Sequence, residues 1–138
     1  MKTPRTGAER LTVGTVLPAV GFDVTRADLR EYAEASGDPN PIHLDPEVAR
    51  AVGLPDTIAH GMLTLALAAR AVSDWTGDAE VVELGGRFTG MVVVPEEGTR
   101  VEFGGEVTAT TDDTVTIALT ATCAGAKVLG RPAAVVRA

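Results

Sequence analysis

The sequence predicts an α+β domain in which a curved antiparallel β-sheet wraps around one long central apolar helix. Three observations carry this expectation. Residues 61–76 are apolar on almost every face, the chain after Gly77 alternates with period two, and glycines interrupt those strands where a sheet would bend. At 138 residues, with 45% hydrophobic and 22% charged residues, the chain 1–138 is expected to form one domain around one core.

The elements follow from local chemistry. Residues 1–10 read as a loose arm, and Val16 to Val24 as a short strand. Thr25 opens a helix, with Asp28 three positions on as its capping partner, and Leu29, Tyr32 and Ala33 give that helix one apolar stripe. Ser36-Gly37-Asp38-Pro39 stops it, because glycine suits the C-terminal cap and proline cannot continue a helix. Pro39 and Pro41 then enforce a loop from Asp38 to Leu44. Asp45 caps a short helix with Pro46 in its first turn and Gly53 past its end. After a loop from Leu54 to His60, the main helix runs from Gly61 to about Thr76 and should be enclosed by other elements.

Beyond Gly77 the pattern is β. Thr114 to Cys123 places apolar residues on one face and threonines on the other. Gly104-Gly105 marks a bulge or strong curvature between two further runs, and Asp112-Asp113 and Ala124-Gly125 read as turns. In a final strand from Val128 to Arg137, Pro132 should sit at an edge or an irregularity.

Composition excludes several functions. A net charge of -7 does not favour nucleic acid or an anionic membrane surface. An acidic carrier protein would need a local basic patch, for which Arg87, Arg100, Lys127, Arg131 and Arg137 are the candidates, or a second subunit that supplies one. The lone Cys123 permits no intrachain disulfide and lies on the apolar phase of its strand, which predicts a buried, inert thiol. The N-terminus has no apolar signal segment, and the apolar run at Gly61–Trp75 is too short to span a bilayer, so the cytoplasm is the expected location.

Most of the functional information lies between Tyr32 and Met62. Asp38 and His43 share one proline-stiffened loop, and that loop leads towards Gly61 at the start of the apolar helix. Alone, an aspartate before proline builds an Asx turn, and a single histidine is more often structural than catalytic. Together they offer an acid–base pair, with Asn40 as an orienting hydrogen-bond partner. Gly61 fits two readings: a small residue starting a helix, or an opening through which a carbonyl oxygen reaches first-turn amides that have no acceptor. His60 either bonds within its loop or lines a pocket, and the structural role is favoured. Asp45 is explained by capping. No ligand spacing supports a metal site from His43, His60 and carboxylates, and no cofactor is implied.

The segment Ser-Gly-Asp-Pro-Asn-Pro-Ile-His, followed by Ala-His-Gly-Met, resembles the hydratase-2 motif of MaoC-like proteins, which include (R)-specific enoyl hydratases and 3-hydroxyacyl dehydratases. Ala71 to Asp78, Arg87-Phe88-Thr89, Val115 to Thr122 and Gly130-Arg131 extend the resemblance to the catalytic B subunits of actinobacterial (3R)-hydroxyacyl-carrier-protein dehydratases. The resemblance implies a hot-dog fold that works as a homodimer or with a related subunit. It implies Asp38 and His43 as the catalytic dyad, Gly61 as the amide for the thioester carbonyl, and Asn40 in support. The glycine-rich Leu84 to Gly90 departs from the bulkier residues expected in that strand.

The implied reaction is reversible dehydration of a (3R)-3-hydroxyacyl thioester, on coenzyme A or a carrier protein, to the trans-2-enoyl thioester. His43 is assigned mainly to the α-carbon proton and Asp38 to the water or hydroxyl. Two alternatives remain. One is a non-catalytic hot-dog subunit that shapes a partner's acyl tunnel; retention of Asp38 and His43 counts against it. The other is a thioesterase, which would need a carboxylate on the central helix, and the Met62–Ala71 face has none.

Overall fold

The structure, a computed structural model, describes residues 7–138. After one 3-10 turn at Gly7–Arg10, strand β1 (Val16–Val24) leads into helix α1 (Arg26–Ser36). A second 3-10 turn, Pro41–His43, precedes helices α2 (Pro46–Ala51) and α3 (Gly61–Thr76). Strands β2 (Val81–Phe88), β3 (Thr99–Thr110), β4 (Thr114–Cys123), β5 (Ala126–Lys127) and β6 (Leu129–Arg137) follow. They form one antiparallel sheet ordered β1-β3-β4-β6-β2, with β5 added to β4. This is the expected hot-dog architecture. Among the described residues, no helix is long and apolar enough to cross a membrane.

Capping chemistry sets the helix limits. The Thr25 hydroxyl accepts from the Asp28 amide and the Asp28 carboxylate accepts from the Thr25 amide, a complete capping box. Helices α1 and α3 end on Gly37 and Gly77, at φ 73° and 63°, left-handed geometry that glycine adopts without strain. Asp45 caps α2 through the Glu47 amide at 2.9 Å. Cys123 is buried, as its phase in β4 predicts.

Helix α3 contributes Ala68, Ala71 and Val72 to a core shared with Phe103, Ile117 and Val136 of the sheet. Enclosure of the helix is one-sided, contrary to expectation. Met62 is 57% exposed and Ala66 is open, while Leu63, Leu65 and Leu67 are only half-buried. The sheet covers the small-residue face, and among the described residues the other is only partly flanked, by α1 beside Leu63 and Leu67.

Four other features differ from the sequence reading or refine it. Ala8, within the expected loose arm, is fully buried against the core, and Gly7 packs on the backbone of Thr76. Residues 1–6 of that arm lie outside the described residues. Gly104-Gly105 pairs in register with Thr120 and Leu119 of β4, and the expected bulge lies on its other side, where Leu17 pairs with Gly105 and Val20 with Phe103, so that Pro18 and Ala19 of β1 face Gly104 alone. A second register break lies in β3 between Val107 and Ala109. Gly105 is needed for a different reason: a Cβ there would sit 3.1–3.2 Å from Ile117, Trp75 and Leu17, so its bareness lets α3 lie on the sheet. Pro132 lies in β6, an interior strand, where Arg131 at φ 47° and a register break opposite Gly86 form the irregularity. Gly86 faces Pro132 at close range, and Gly90 lies over the Lys127 carbonyl, so close approach explains two glycines of the unusual run.

Trp75 joins helix to sheet, its indole N–H donating to the Pro18 carbonyl at 2.7 Å, inside the β1 irregularity. Trp75→Phe removes that bond and part of the packing on Gly105. Urea unfolding should show a loss on the order of 1–3 kcal/mol with an unchanged m-value; a change within experimental error would mean that the contact contributes nothing.

Candidate active site

The site is built where three loops meet. Residues 57–59 pair with the segment before β3: the Ala59 amide donates to the Val92 carbonyl at 2.9 Å, and the Val94 amide to the Thr57 carbonyl at 2.8 Å. The buried Thr57 hydroxyl adds a bond to the Val94 carbonyl at 2.7 Å. Asp56 anchors the same loop, accepting from the Thr57 amide at 2.7 Å and from Arg26 at 2.8 Å, with Arg50 at 3.5 Å. The Thr57 amide, more than either arginine, holds the Asp56 carboxyl below its ordinary range against the opposing cost of desolvation. Helices α1 and α2 are thereby tied to the segment that leads into α3.

His43 hangs from this frame. Its Nδ1 lies 2.6 Å from the Ile58 carbonyl oxygen, which can only accept, so Nδ1 carries the hydrogen and Nε2 is left with a free lone pair. The ring is 8% exposed. Asp38 lies in the proline-pinned loop and is exposed, its Oδ1 accepting from the Asn40 amide at 3.2 Å in an Asx turn. The structural reading of Asp38 is therefore present, and it leaves the second carboxylate oxygen unengaged. Asn40 contributes twice: its amide donates to Asp38, and its side-chain oxygen accepts from the Ile42 amide and caps the turn containing His43.

His60 is the residue that the sequence reading undervalued. It is 2% exposed, its Nε2 lies 3.2 Å from the Asp38 carbonyl, and its ring stacks on His43 at 3.8 Å between centroids. One ligand atom each from Asp38, His43 and His60 lies within 4.8 Å of the others, a convergence that sequence spacing did not suggest. It arises because the loop before α3 folds back over the Asp38–His43 loop. The two rings are inclined by only 24°, so their in-plane lone pairs run side by side and converge poorly on a single ion.

Gly61 opens α3 behind an N-cap, His60, that makes no side-chain capping bond. The His60 carbonyl accepts from the Leu63 and Thr64 amides, while the amides of Gly61 and Met62 have no acceptor among the described residues. Bareness at Gly61 has a second cause: a Cβ would meet the Phe88 ring at 3.1 Å. Tyr32, Ser36, Asp38, His43, His60, Gly61, Met62 and Phe88 line one open cavity of about 480 Å³. Of these, Tyr32, Ser36, Met62 and Phe88 were not expected at the site, and Phe88 reaches it only through the long-range pairing that places the end of β2 there.

Of the five basic candidates, Arg100 pairs with Asp23 and Glu102, and Arg137 with Glu80. Arg87, Lys127 and Arg131 have no carboxylate within salt-bridge distance among the described residues, and Lys127 and Arg131 share one surface cavity with Thr89.

Known proteins resemble this chain in sequence and in shape. It is 40% identical over 78 residues to the 3-hydroxyacyl-thioester dehydratase X of Mycobacterium tuberculosis, which is 56% of this chain and 27% of that one. It is 39% identical over 64 residues to a UPF0336 protein of Streptomyces avermitilis, 46% of this chain and 43% of that one. The chain thus spans less than half the length of these curated relatives. A solved MaoC-like dehydratase superposes with a TM-score of 0.90 at 38% identity, over 96% of this chain and 43% of that one. The (R)-hydratase of A. caviae involved in PHA biosynthesis superposes with a TM-score of 0.83 at 28% identity, over 94% of this chain and 97% of that one. Residues 10–123 match the MaoC like domain, and the chain belongs to that family.

Proposed function

We propose that the chain catalyses reversible dehydration of (3R)-3-hydroxyacyl thioesters to trans-2-enoyl thioesters. One observation carries the proposal: Asp38 and His43 face each other without a mutual hydrogen bond, beside the unpaired amides of Gly61 and Met62. The names printed for the dehydratase of M. tuberculosis and the (R)-hydratase of A. caviae support the reaction class.

The chemistry follows from the free positions. The α-proton of a thioester is weakly acidic, so its removal requires stabilisation of charge on the carbonyl oxygen. Unpaired first-turn amides supply this, and one such donor is worth about 3–4 kcal/mol. The dyad holds one shared proton, on Nε2 of His43 at the start of hydration and on Asp38 at its end: Asp38 takes a proton from water as the oxygen bonds C3, and His43 delivers its Nε2 proton to C2, which leaves Nε2 with its lone pair. In dehydration, the Nε2 lone pair of His43 removes that C2 proton while Asp38 returns its proton to the departing hydroxyl. Atoms balance, and no cofactor takes part.

The cavity lacks a wall. Phe88 and Met62 on its rim are 56% and 57% exposed, and Val82 and Met91 along or just past β2 are 49% and 52% exposed. Strand β2 pairs only with β6, leaving its other edge free. The partner we propose is a second hot-dog domain, a copy of this chain or a related subunit, seated along β2 to close the site. The unpaired Arg87, Lys127 and Arg131 favour an anionic substrate handle, coenzyme A or a carrier protein. We place the activity in the cytoplasm, with neither nucleic acid nor membrane as partner. Thioester hydrolysis is disfavoured because the carboxylate on α3, Asp74, lies about 20 Å along the helix from Gly61.

Asp38→Asn and His43→Ala should each lower crotonyl-CoA hydration by about 10²–10⁴-fold, read as loss of enoyl absorbance. Near wild-type rates in both would end the dyad assignment, and faster release of free thiol than of hydroxyacyl product would favour the thioesterase. Gly61→Val should displace Phe88 and block the amides, with kcat/KM falling about tenfold or more while the protein stays folded by circular dichroism. Light scattering should give the mass of two hot-dog domains, for the chain alone or after mixing with a related subunit. A fully active monomer would overturn the partner.

A further inference from the structure

His60 lies between two other rings. Tyr32 of α1 packs on one side at 4.8 Å between centroids, tilted by 59°, and His43 stacks on the other at 3.8 Å. The three rings come from α1, the 3-10 turn before α2 and the N-cap of α3. Because the Asp38 carbonyl can only accept, Nε2 of His60 carries its hydrogen. Nδ1 is then a bare acceptor, buried and without a partner among the described residues. An apolar ring of similar shape would stack equally well and would leave no orphaned nitrogen. The imidazole is therefore accounted for by what its other nitrogen does.

We propose that His60 is a positioning residue of the dyad, its Nε2–H fixing the backbone of Asp38 and its face holding the His43 ring with Nε2 towards the cavity. The proposal rests on the reading of Asp38 and His43 as the acid–base pair. The titratable groups facing His60 are Tyr32, His43 and Asp38. Burial is the main cause that holds its pKa below the ordinary 6.5; the bond to Asp38 pulls upward and the charge of His43 downward. Of the two stacked histidines, His60 has its Nε2 committed to the Asp38 carbonyl and its Nδ1 buried, so His43 is the one placed to exchange a proton in the proposed dyad. His60 remains an uncharged platform.

His60→Phe keeps a ring and deletes the donor, whereas His60→Gln keeps a donor and deletes the stack. With crotonyl-CoA, each should lower kcat by about 10- to 100-fold while KM stays near wild type. The triple variant Asp38→Asn/His43→Ala/His60→Phe should be no slower than Asp38→Asn/His43→Ala, since His60 acts through those two neighbours. Active wild type with both single variants at wild-type kcat would overturn the proposal and leave the dyad standing; inactive wild type would instead remove the dyad reading. Imidazole ¹⁵N chemical shifts of the wild-type protein give a readout independent of activity and of the variants' folding. His60 should stay the neutral Nε2–H tautomer. A proton on Nδ1, or titration of His60 at an ordinary pKa, would overturn the proposal.

Discussion

The hydrogen bond from His43 to the Ile58 carbonyl is the contact on which the site depends. At 2.6 Å it settles which nitrogen of the ring is protonated and where the other one faces. It can do so only because Ile58 itself cannot move. Residues 57–59 are hydrogen-bonded to residues 92–94 on one side and to the arginine-anchored Asp56 on the other. The amide of Ile58 also donates to the Ile42 carbonyl at 3.3 Å, closing the two loops on each other. A general base needs a defined tautomer before it needs a shifted pKa, and for the role proposed for His43 the backbone provides it.

The same geometry divides the two polar groups by environment. His43 is buried and held at one nitrogen, whereas Asp38 is exposed and held at one carboxylate oxygen. In the chain alone the aspartate faces water, which weakens any charge interaction across the gap. Excluding that water strengthens both the carboxylate and the α3 amides as catalytic groups. The exposed Phe88 and Met62 at the rim mark the side from which exclusion would come.

Much of this was legible in the chain. Thr25 with Asp28, Asp45 with Pro46, and the glycines at 37 and 77 mark helix limits that local chemistry alone decides. Alternation in residues 114–123 located β4, whose pairing needs no special residue. The loop carrying Asp38 and His43 was visible because prolines leave it few conformations. What escaped was set by distant pairing. The register break beside Thr108 has no such mark in the chain, whereas the one in β1 holds Pro18, which cannot donate, and faces Gly104. Gly104-Gly105 marked that break, but the pair did not tell that Gly105 admits a tryptophan, because a small residue that bends a strand and one that makes room are spelled the same way. His60 was read as structural because nothing in Ala-His-Gly-Met tells that its ring will rest on His43, seventeen positions earlier.

Phe88 sits at the end of a strand whose outer edge is unclaimed, yet its ring touches the glycine that starts the central helix. Whatever seats itself along that margin can tilt the aromatic and so recut the cavity. Asp38 and His43 are anchored on other loops, by bonds to Asn40 and Ile58 that do not involve the ring. If the proposed partner sits there, assembly becomes a dial for the shape of the cavity.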